Sequence, residues 1–390
     1  MSKTIKTSIF CAFFLFSCIS VFTYTPHRIE PVDTRSEAFG GPHYTDVSSF
    51  YTLFSNPAAL AFTESKTLWP PIVAFGIGGP LDKMNKMTWD LITKKIDAND
   101  QQAIMKAIVG LIGDTGFNTS ERIGGPLTFG AIRNNFGWGF VNTTYANVNV
   151  FSVSRSDIRA GSGLGFVAGY ALPCDLGDAG ILSIGVSGRA GVQFETEYTQ
   201  AITDLISGSF NNIPFYLSVG AGFDMAAQYK IGALSLAAVW QDVYSPVWTK
   251  TYADRKALRS GAGSAFKQSR LNSKFGFGAR FDIPVKEWAG NIVSEWAVYA
   301  DYNNIWPLIT KQKIYRNPIL ELSFGTEVLL FNKVLALRAG INDMYPAAGI
   351  GLNLGKKFKT DFSVFGKELG FEPGSNPQLN VGLSMSIKYR

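Results

Sequence analysis

NVGLSMSIKYR, residues 380–390, alternates without a break. Val381, Leu383, Met385, Ile387 and Tyr389 share one face, and Gly382, Ser384, Ser386 and Lys388 share the other. A strand that is apolar on one side and small or polar on the other suits a membrane barrel, with lipid outside and a polar lumen within. A strand of a soluble sandwich carries the same alternation when its apolar face packs on a second sheet. The remaining segments separate the two readings.

Working back from this strand, Leu320, Leu322, Phe324, Thr326 and Val328 alternate with Glu321, Ser323, Gly325 and Glu327. Asn332–Lys333 turns the chain, and Leu335, Leu337, Ala339 and Ile341 then alternate with Ala336, Arg338 and Gly340, a hairpin of membrane-spanning length. Phe275, Phe277, Ala279 and Phe281 repeat the pattern, as do Leu217, Val219, Ala221, Phe223 and Met225, and Ile184, Val186, Gly188 and Ala190. Fourteen such segments fall near 68–79, 123–133, 136–151, 159–172, 181–195, 214–228, 233–244, 271–284, 290–303, 316–330, 334–343, 346–356, 359–368 and 378–389. An even number returns both chain ends to one side, as in single-chain bacterial barrels, and closure leaves no unpaired sheet edge in lipid. The fold expected is all-β: a single antiparallel transmembrane barrel.

Short connections at Asn134–Asn135, Lys230–Ile231, Asn332–Lys333 and Lys357–Phe358 read as periplasmic turns. Longer ones at 80–122, 196–213, 245–270 and 369–377 fall on the opposite, extracellular side. The first carries a helical period in Trp89, Leu91, Ile92 and Ile96, then in Ile104, Ile108, Leu111 and Ile112, and would cap the pore or decorate the surface. Trp138, Tyr145, Tyr170, Tyr229, Trp240, Trp296 and Tyr389 are candidates for the interfacial girdles.

Composition agrees. The 390 residues hold 40 Gly, 30 Phe and 15 Tyr but only 2 His, a balance for sheet and tight turns. Mean hydropathy is +0.08, and no run of about 18 apolar residues follows residue 30, which excludes a helical membrane protein. The net charge of +6 is scattered apart from short groups such as Lys356–Lys357–Lys359, so no nucleic-acid partner is expected. Lys3 and Lys6 precede the apolar run Ile9–Val21, marking residues 1–23 as an export signal. Cleavage within 18–25 is one reading; lipidation of Cys18, after Leu15, is the other. Either leaves Cys174 as the unmodified cysteine and no disulfide framework.

Residues 24–67 form a separate N-terminal segment before the barrel of 68–390. Within it, SEAFGGPHYTDVSSFYTLFSNPAALA (36–61) does not alternate, and Asn56–Pro57 is a helix start with Asn as cap and Pro in the first turn. This segment resembles the N-terminal signature of the FadL-like long-chain fatty-acid transporter family and its relatives in type IX secretion. The matching residues are Gly40–Gly41, Asp46 and Asn56–Pro57–Ala58–Ala59–Leu60–Ala61. The stretch 321–343, ending Leu337–Arg338–Ala339–Gly340, is similar to that family's penultimate hairpin, with a spirochaetal branch as the nearest match. Pro42 departs from the pattern, and so does Arg390, which leaves Tyr389 as the aromatic assembly signal. The resemblance implies a fourteen-stranded barrel with a hatch at Gly40, Gly41, Asp46, Asn56, Pro57 and Ala58.

It also implies outer-membrane uptake of hydrophobic molecules, long-chain fatty acids or related lipids among them. Candidate ligand-binding residues are Phe50, Leu53, Phe54 and Leu60, with lumen-parity Arg189, Arg280 and Arg338 for a head group. Asp224, Glu295, Asp301, Glu321 and Glu327 share that parity, so an ionic network holding the hatch is the competing role for the arginines. His27 and His43 both precede the barrel, and the sequence has no phosphate loop, metal-ligand spacing or nucleophile elbow. No catalysis, metal or cofactor is expected. The expected partners are outer-membrane lipids, a hydrophobic small molecule and the barrel-assembly machinery. A general diffusion porin and a non-transporting scaffold or adhesin are the alternative functions.

Overall fold

Alternation along the chain becomes one closed sheet. The structure, a computed structural model, describes residues 27–81, 101–112, 116–201, 213–285, 289, 292–310, 316–354 and 358–388. The signal with Cys18, the helical pattern at Trp89–Ile96, the turn residue Lys357 and Tyr389 lie outside the described residues.

The strands are β1 (Lys66–Gly78), β2 (Phe117–Gly124), β3 (Phe129–Arg133), β4 (Phe136–Ser152), β5 (Arg155–Asp175) and β6 (Ile181–Gln200). They continue as β7 (Phe215–Ile231), β8 (Leu234–Tyr244), β9 (Pro246–Tyr252), β10 (Lys267–Arg270), β11 (Lys274–Asp282) and β12 (Val293–Tyr302). The last are β13 (Leu322–Leu330), β14 (Leu335–Asn342), β15 (Tyr345–Leu354), β16 (Phe358–Glu368) and β17 (Pro377–Lys388). These seventeen segments build fourteen staves of a closed antiparallel barrel. Three staves are interrupted: β2 with β3 between β1 and β4, β8 with β9 beside β7, and β10 with β11 beyond them. Closure is made by β17 on β1, from Leu68 opposite Lys388 to Gly78 opposite Asn380.

The outward set is apolar. Ile184, Val186, Val219, Phe277, Phe324, Leu337, Ile350, Leu383 and Met385 are all exposed on the outer face. The same strands bury Ser187, Asp224, Glu327 and Arg338 inside. So large an exposed apolar surface around a polar interior is stable in lipid and not in water. The protein is a membrane-spanning barrel of the outer-membrane type. Tight turns close one end: Asn134–Asn135 has φ of 51° and 65°, the left-handed pair of a two-residue hairpin turn.

Several expectations are corrected. The second stave begins at Phe117, inside the long connection, because Phe117–Gly124 pairs with β4. The two ends of 245–270 are wall: Val247 and Thr249 turn inward, Trp248 turns outward, and β9 pairs with β7 despite Pro246. Likewise β6 runs on to Gln200. The turn placed at Lys230–Ile231 lies at Gly232–Ala233, where Gly232 supplies a φ of 54°. Leu320 and Glu321 precede β13 in a 3-10 turn that Asn317 caps by accepting from the Ile319 N–H, so Leu320 is buried instead of facing lipid. Tyr145 sits at lumen parity on β4, over Gly161, and not at an interface. Asp343–Met344 is a second left-handed pair, on the long-loop side, so short turns are not confined to one end.

Candidate functional site

Residues 27–64 fold back into the lumen. Their path is set by wall glycines, which let backbone approach backbone where no side chain would fit. Gly185 faces the Pro57–Ala58 peptide, and a Cβ there would lie 2.2 Å from the Ala58 nitrogen. At Gly325 a Cβ would stand 2.1 Å from the Phe39 carbonyl oxygen. Gly40 itself has a φ of +97° and is pressed against the Phe324 and Ile341 backbone. The Gly325→Ala variant should therefore lose about 1–3 kcal/mol of stability from overpacking alone. A melting curve in detergent measures it, and an unchanged midpoint would contradict this docking.

Asn56 closes the hatch locally. Its Oδ1 accepts from the Ala58 N–H at 2.9 Å, capping the 3-10 helix Pro57–Ala61, while Nδ2 donates to the Tyr44 carbonyl at 2.6 Å and to Gln228 Oε1 at 2.8 Å. Phe50, Leu53, Phe54 and Leu60 pack with Ile72, Ile132, Val141, Val167 and Ala171 of the wall. The four expected to line a pocket are thus buried in one close-packed cluster with the wall. At about 1.5–3 kcal/mol for each fully buried large side chain, they anchor the hatch substantially.

Charged groups fix it elsewhere. Arg35 donates to Asp46 at 2.5 Å and to Glu327 at 2.6 and 3.0 Å. Arg338 donates to the same Glu327 at 2.7 Å and to Asp361 at 2.8 Å. Asp46 also accepts from the Ser48 N–H at 3.0 Å. Burial opposes its charge, but the Arg35 guanidinium outweighs burial and holds the carboxyl well below the usual range. Arg280 pairs with Asp282 and covers the Tyr299 ring at 5.5 Å. Arg338 and Arg280 are both held in ion pairs in this arrangement, Arg338 by Glu327 and Asp361 and Arg280 by Asp282 of its own strand. Glu295 instead pairs with Lys333 at an exposed position, and Glu321 with Arg316 at 3.5 Å.

His43 is buried between Phe39 and Tyr299, with ring centroids 4.8 Å from each. Nδ1 meets the Asp301 carboxylate, and Nε2 meets the Phe39 carbonyl oxygen at 2.9 Å. With acceptors at both nitrogens, the ring is satisfied as an imidazolium. Burial alone would lower its pKa, but Asp301 and the carbonyl raise it above the usual value. A raised folded pKa stabilises fully below the unfolded value of about 6.5 and is lost as pH rises through the folded one. Hatch anchoring is therefore expected to weaken as pH rises above the unfolded value and through the raised folded one. The difference in melting temperature between the native protein and His43→Gln, followed against pH, should shrink there; a pH-independent difference would contradict the assignment.

Beside the hatch lies a cavity of about 70 Å³. Its wall is a row of glycines in register, Gly165 opposite Gly191 and Gly191 opposite Gly220. Ile29 lies over Gly165 and Gly191 and fills the adjoining groove down to Gly163. Val141, Val167, Val247 and Leu271 add apolar sides. Arg28 and Arg189 are held by Asp224 and Asp242: Arg28 meets each carboxylate at 3.1 Å, and Arg189 meets Asp224 at 2.8 Å and also Asp242. Two guanidiniums thus face two carboxylates. Arg189 Nη1 and Ser245 Oγ have no partner among the described residues, and both residues line the cavity. Behind them the wall ladder is interrupted. Pairing of Gln241 with Lys274 resumes only at Pro246 with Arg270, and between them Leu271 N donates to the Ser245 carbonyl at 3.0 Å.

Of the three arginines singled out from sequence, Arg189 reaches this cavity. Arg28, Ile29 and Ser245 were missed because no alternation marks them. Asp242 carried a faint signal, since Gln241 and Asp242 break the pattern after Trp240, and its φ of 54° makes the bulge.

No family model matches the chain, and no curated protein is similar to it. Solved structures similar in fold include the Pseudomonas putida toluene transporter TodX, at 12% identity and a TM-score of 0.47 over 93% of this chain and 100% of that one. The Ralstonia pickettii toluene transporter TbuX matches at 10% identity and 0.47, over 93% of this chain and 98% of its own. A Pseudomonas aeruginosa FadL homologue matches at 11% and 0.45, over 94% and 99%.

Proposed function

We propose that this barrel takes up hydrophobic molecules passively across the outer membrane, with long-chain fatty acids or related lipids as the substrate class. The observation that carries the reading is the apolar, glycine-walled cavity beside Ile29, set against a lumen that the hatch otherwise fills. A ligand entering it gains affinity from apolar burial, about 0.8 kcal/mol per methylene at most. Withdrawal of residues 27–30 would lengthen the groove along Gly163, Gly165 and Gly191 to take an acyl chain. One or two placed polar groups then orient the ligand, as in most small-molecule sites. Arg189 Nη1 and Ser245 Oγ fill that role. Because the surrounding charges balance, a hydrogen-bond acceptor is what these donors select, and net negative charge is not required.

Titration of the purified protein with fatty acids of increasing chain length, and with their methyl esters, tests this. Binding should tighten with chain length, and acid and ester should bind alike. Indifference to chain length, together with passage of short sugars, would overturn the proposal in favour of a diffusion porin.

A further inference from the structure

The charge of the chain is unevenly placed around the barrel. Between residues 246 and 270, the hairpin of β9 and β10, there are six basic residues (Lys250, Arg255, Lys256, Arg259, Lys267 and Arg270) and one acidic residue, Asp254, in a chain whose net charge is +6. Asp254 is occupied, accepting from the Ala257 N–H at 2.7 Å to cap the helix Arg255–Ser260. None of the six cations meets a carboxylate among the described residues. All but Lys250 are exposed, and Lys250 is half-buried.

Their height on the wall says what they face. Up the outer face of the β8–β9 stave run Leu234, Leu236 and Trp240, then Tyr244 and Trp248, and the next outward residue is Lys250. On the neighbouring stave the outward run Phe281, Phe277, Phe275 gives way, past the interruption, to Arg270. By register Arg270 stands level with Pro246, between Tyr244 and Trp248, and Lys250 follows one outward position beyond Trp248, so cations and aromatic rings intermix at the end of the apolar band. Arg270 lies over the Tyr244 ring at 4.7 Å and Lys250 over the Tyr252 ring at 5.4 Å, so ring contacts hold both near the wall. The short helix with Arg255, Lys256 and Arg259 stands beyond. Aromatic residues at a membrane interface, with cations among and just beyond them that meet no carboxylate among the described residues, are placed to meet lipid phosphates.

We propose that this face binds the phosphate-bearing headgroup of an anionic lipid in the leaflet on the long-loop side, with Tyr244 and Trp248 at its acyl boundary and Lys250 and Arg270 on the phosphate. The helix cations supply the longer-range attraction. The outward direction of Trp248, Lys250 and Arg270 favours a lipid over a soluble polyanion, which would need only the helix and loop. The site is separate from the cavity and does not depend on what the cavity carries.

The test uses the full-length protein in phosphatidylcholine nanodiscs doped with brominated phosphatidylglycerol or, at equal mole fraction, brominated phosphatidylcholine. The Trp248 contribution to fluorescence is isolated by comparison with Trp248→Phe. Quenching by the anionic lipid should exceed that by the zwitterionic one severalfold. Its half-saturating mole fraction should rise by about fivefold for each of Lys250→Gln and Arg270→Gln. Lys250→Arg should behave as the native protein, and heat-dependent migration in gels confirms that each variant is folded. Equal quenching by the two lipids would overturn the proposal. So would loss of the preference only on removing the helix cations, accompanied by tight binding of soluble polyphosphate, which would assign the face to a soluble polyanion.

Discussion

Removing residues 36–61 is expected to raise single-channel conductance by on the order of tenfold or more, because this stretch is the larger part of the N-terminal segment that packs against the lumen face of the wall. The deleted stretch contains Phe39, Leu53 and Leu60, each essentially free of solvent contact, together with the peptide that abuts Gly185 and the loop that abuts Gly325 and Gly340. Their loss would leave a ring of lumen glycines facing water across fourteen staves. The wall's own ladders, including β1 with β17, involve no residue of the stretch. The barrel should therefore still assemble and show heat-dependent migration in gels. Planar-bilayer recordings of native and deleted protein measure the effect. A folded deletion variant that conducts no better than the native protein would show that residues other than the hatch seal the lumen.

Arg35→Ala should be the most destabilising single substitution in the hatch, by about 3–5 kcal/mol. Its guanidinium joins Asp46 of the hatch to Glu327 of the wall, and both carboxylates are nearly as buried as it is. Glu327 keeps Arg338 when Arg35 is lost, whereas Asp46 has only Ser48 left as a side-chain partner. The cost is chiefly that of an unpaired buried anion, so the double variant Arg35→Met with Asp46→Leu should recover much of the stability. Chemical unfolding in detergent compares the three proteins. A double variant no better than Arg35→Ala would mean that packing, and not charge pairing, sets the value. Because the hatch would be loosened first, the single variant should also conduct intermittently in bilayers.

The wall was legible because barrel strands must alternate on both faces, and a period of two survives in sequence without knowledge of any partner. Ile184 to Ala190 and Leu335 to Ile341 declare their lipid face by themselves. The turn at Asn134–Asn135 declared itself too, since few other residues accept its left-handed backbone. The N-terminal segment was legible as a break in that period, and Asn56–Pro57 as a cap with its first-turn proline, which the 3-10 helix Pro57–Ala61 carries. The arrangement of the site was less legible. Phe50, Leu53, Phe54 and Leu60 read as apolar residues free to line a pocket, but their fate depends on which glycines oppose them, and Gly130, Gly137, Gly139 and Gly169 lie far along the chain. Arg338 and Arg189 have the same parity and the same pattern of neighbours. Only the fold brings Glu327 and Asp361 to the first and places the second beside a cavity. Strand ends were hard to read for a related reason: Pro246 and Asn317–Pro318 signal a break in either case, but pairing with Arg270 of β10 keeps the first in the wall.

Uptake into intact cells distinguishes a plugged barrel that passes hydrophobic solutes from one that passes hydrophilic ones. The chain would be expressed in the outer membrane of a host lacking its own long-chain acyl transporter. Entry of a labelled long-chain fatty acid and of a labelled small sugar would then be followed in the same cells. Fatty-acid uptake should rise severalfold over the empty-vector control while sugar entry does not change. Sugar entry that rises with expression, with fatty-acid uptake at the control level, would contradict the proposed uptake.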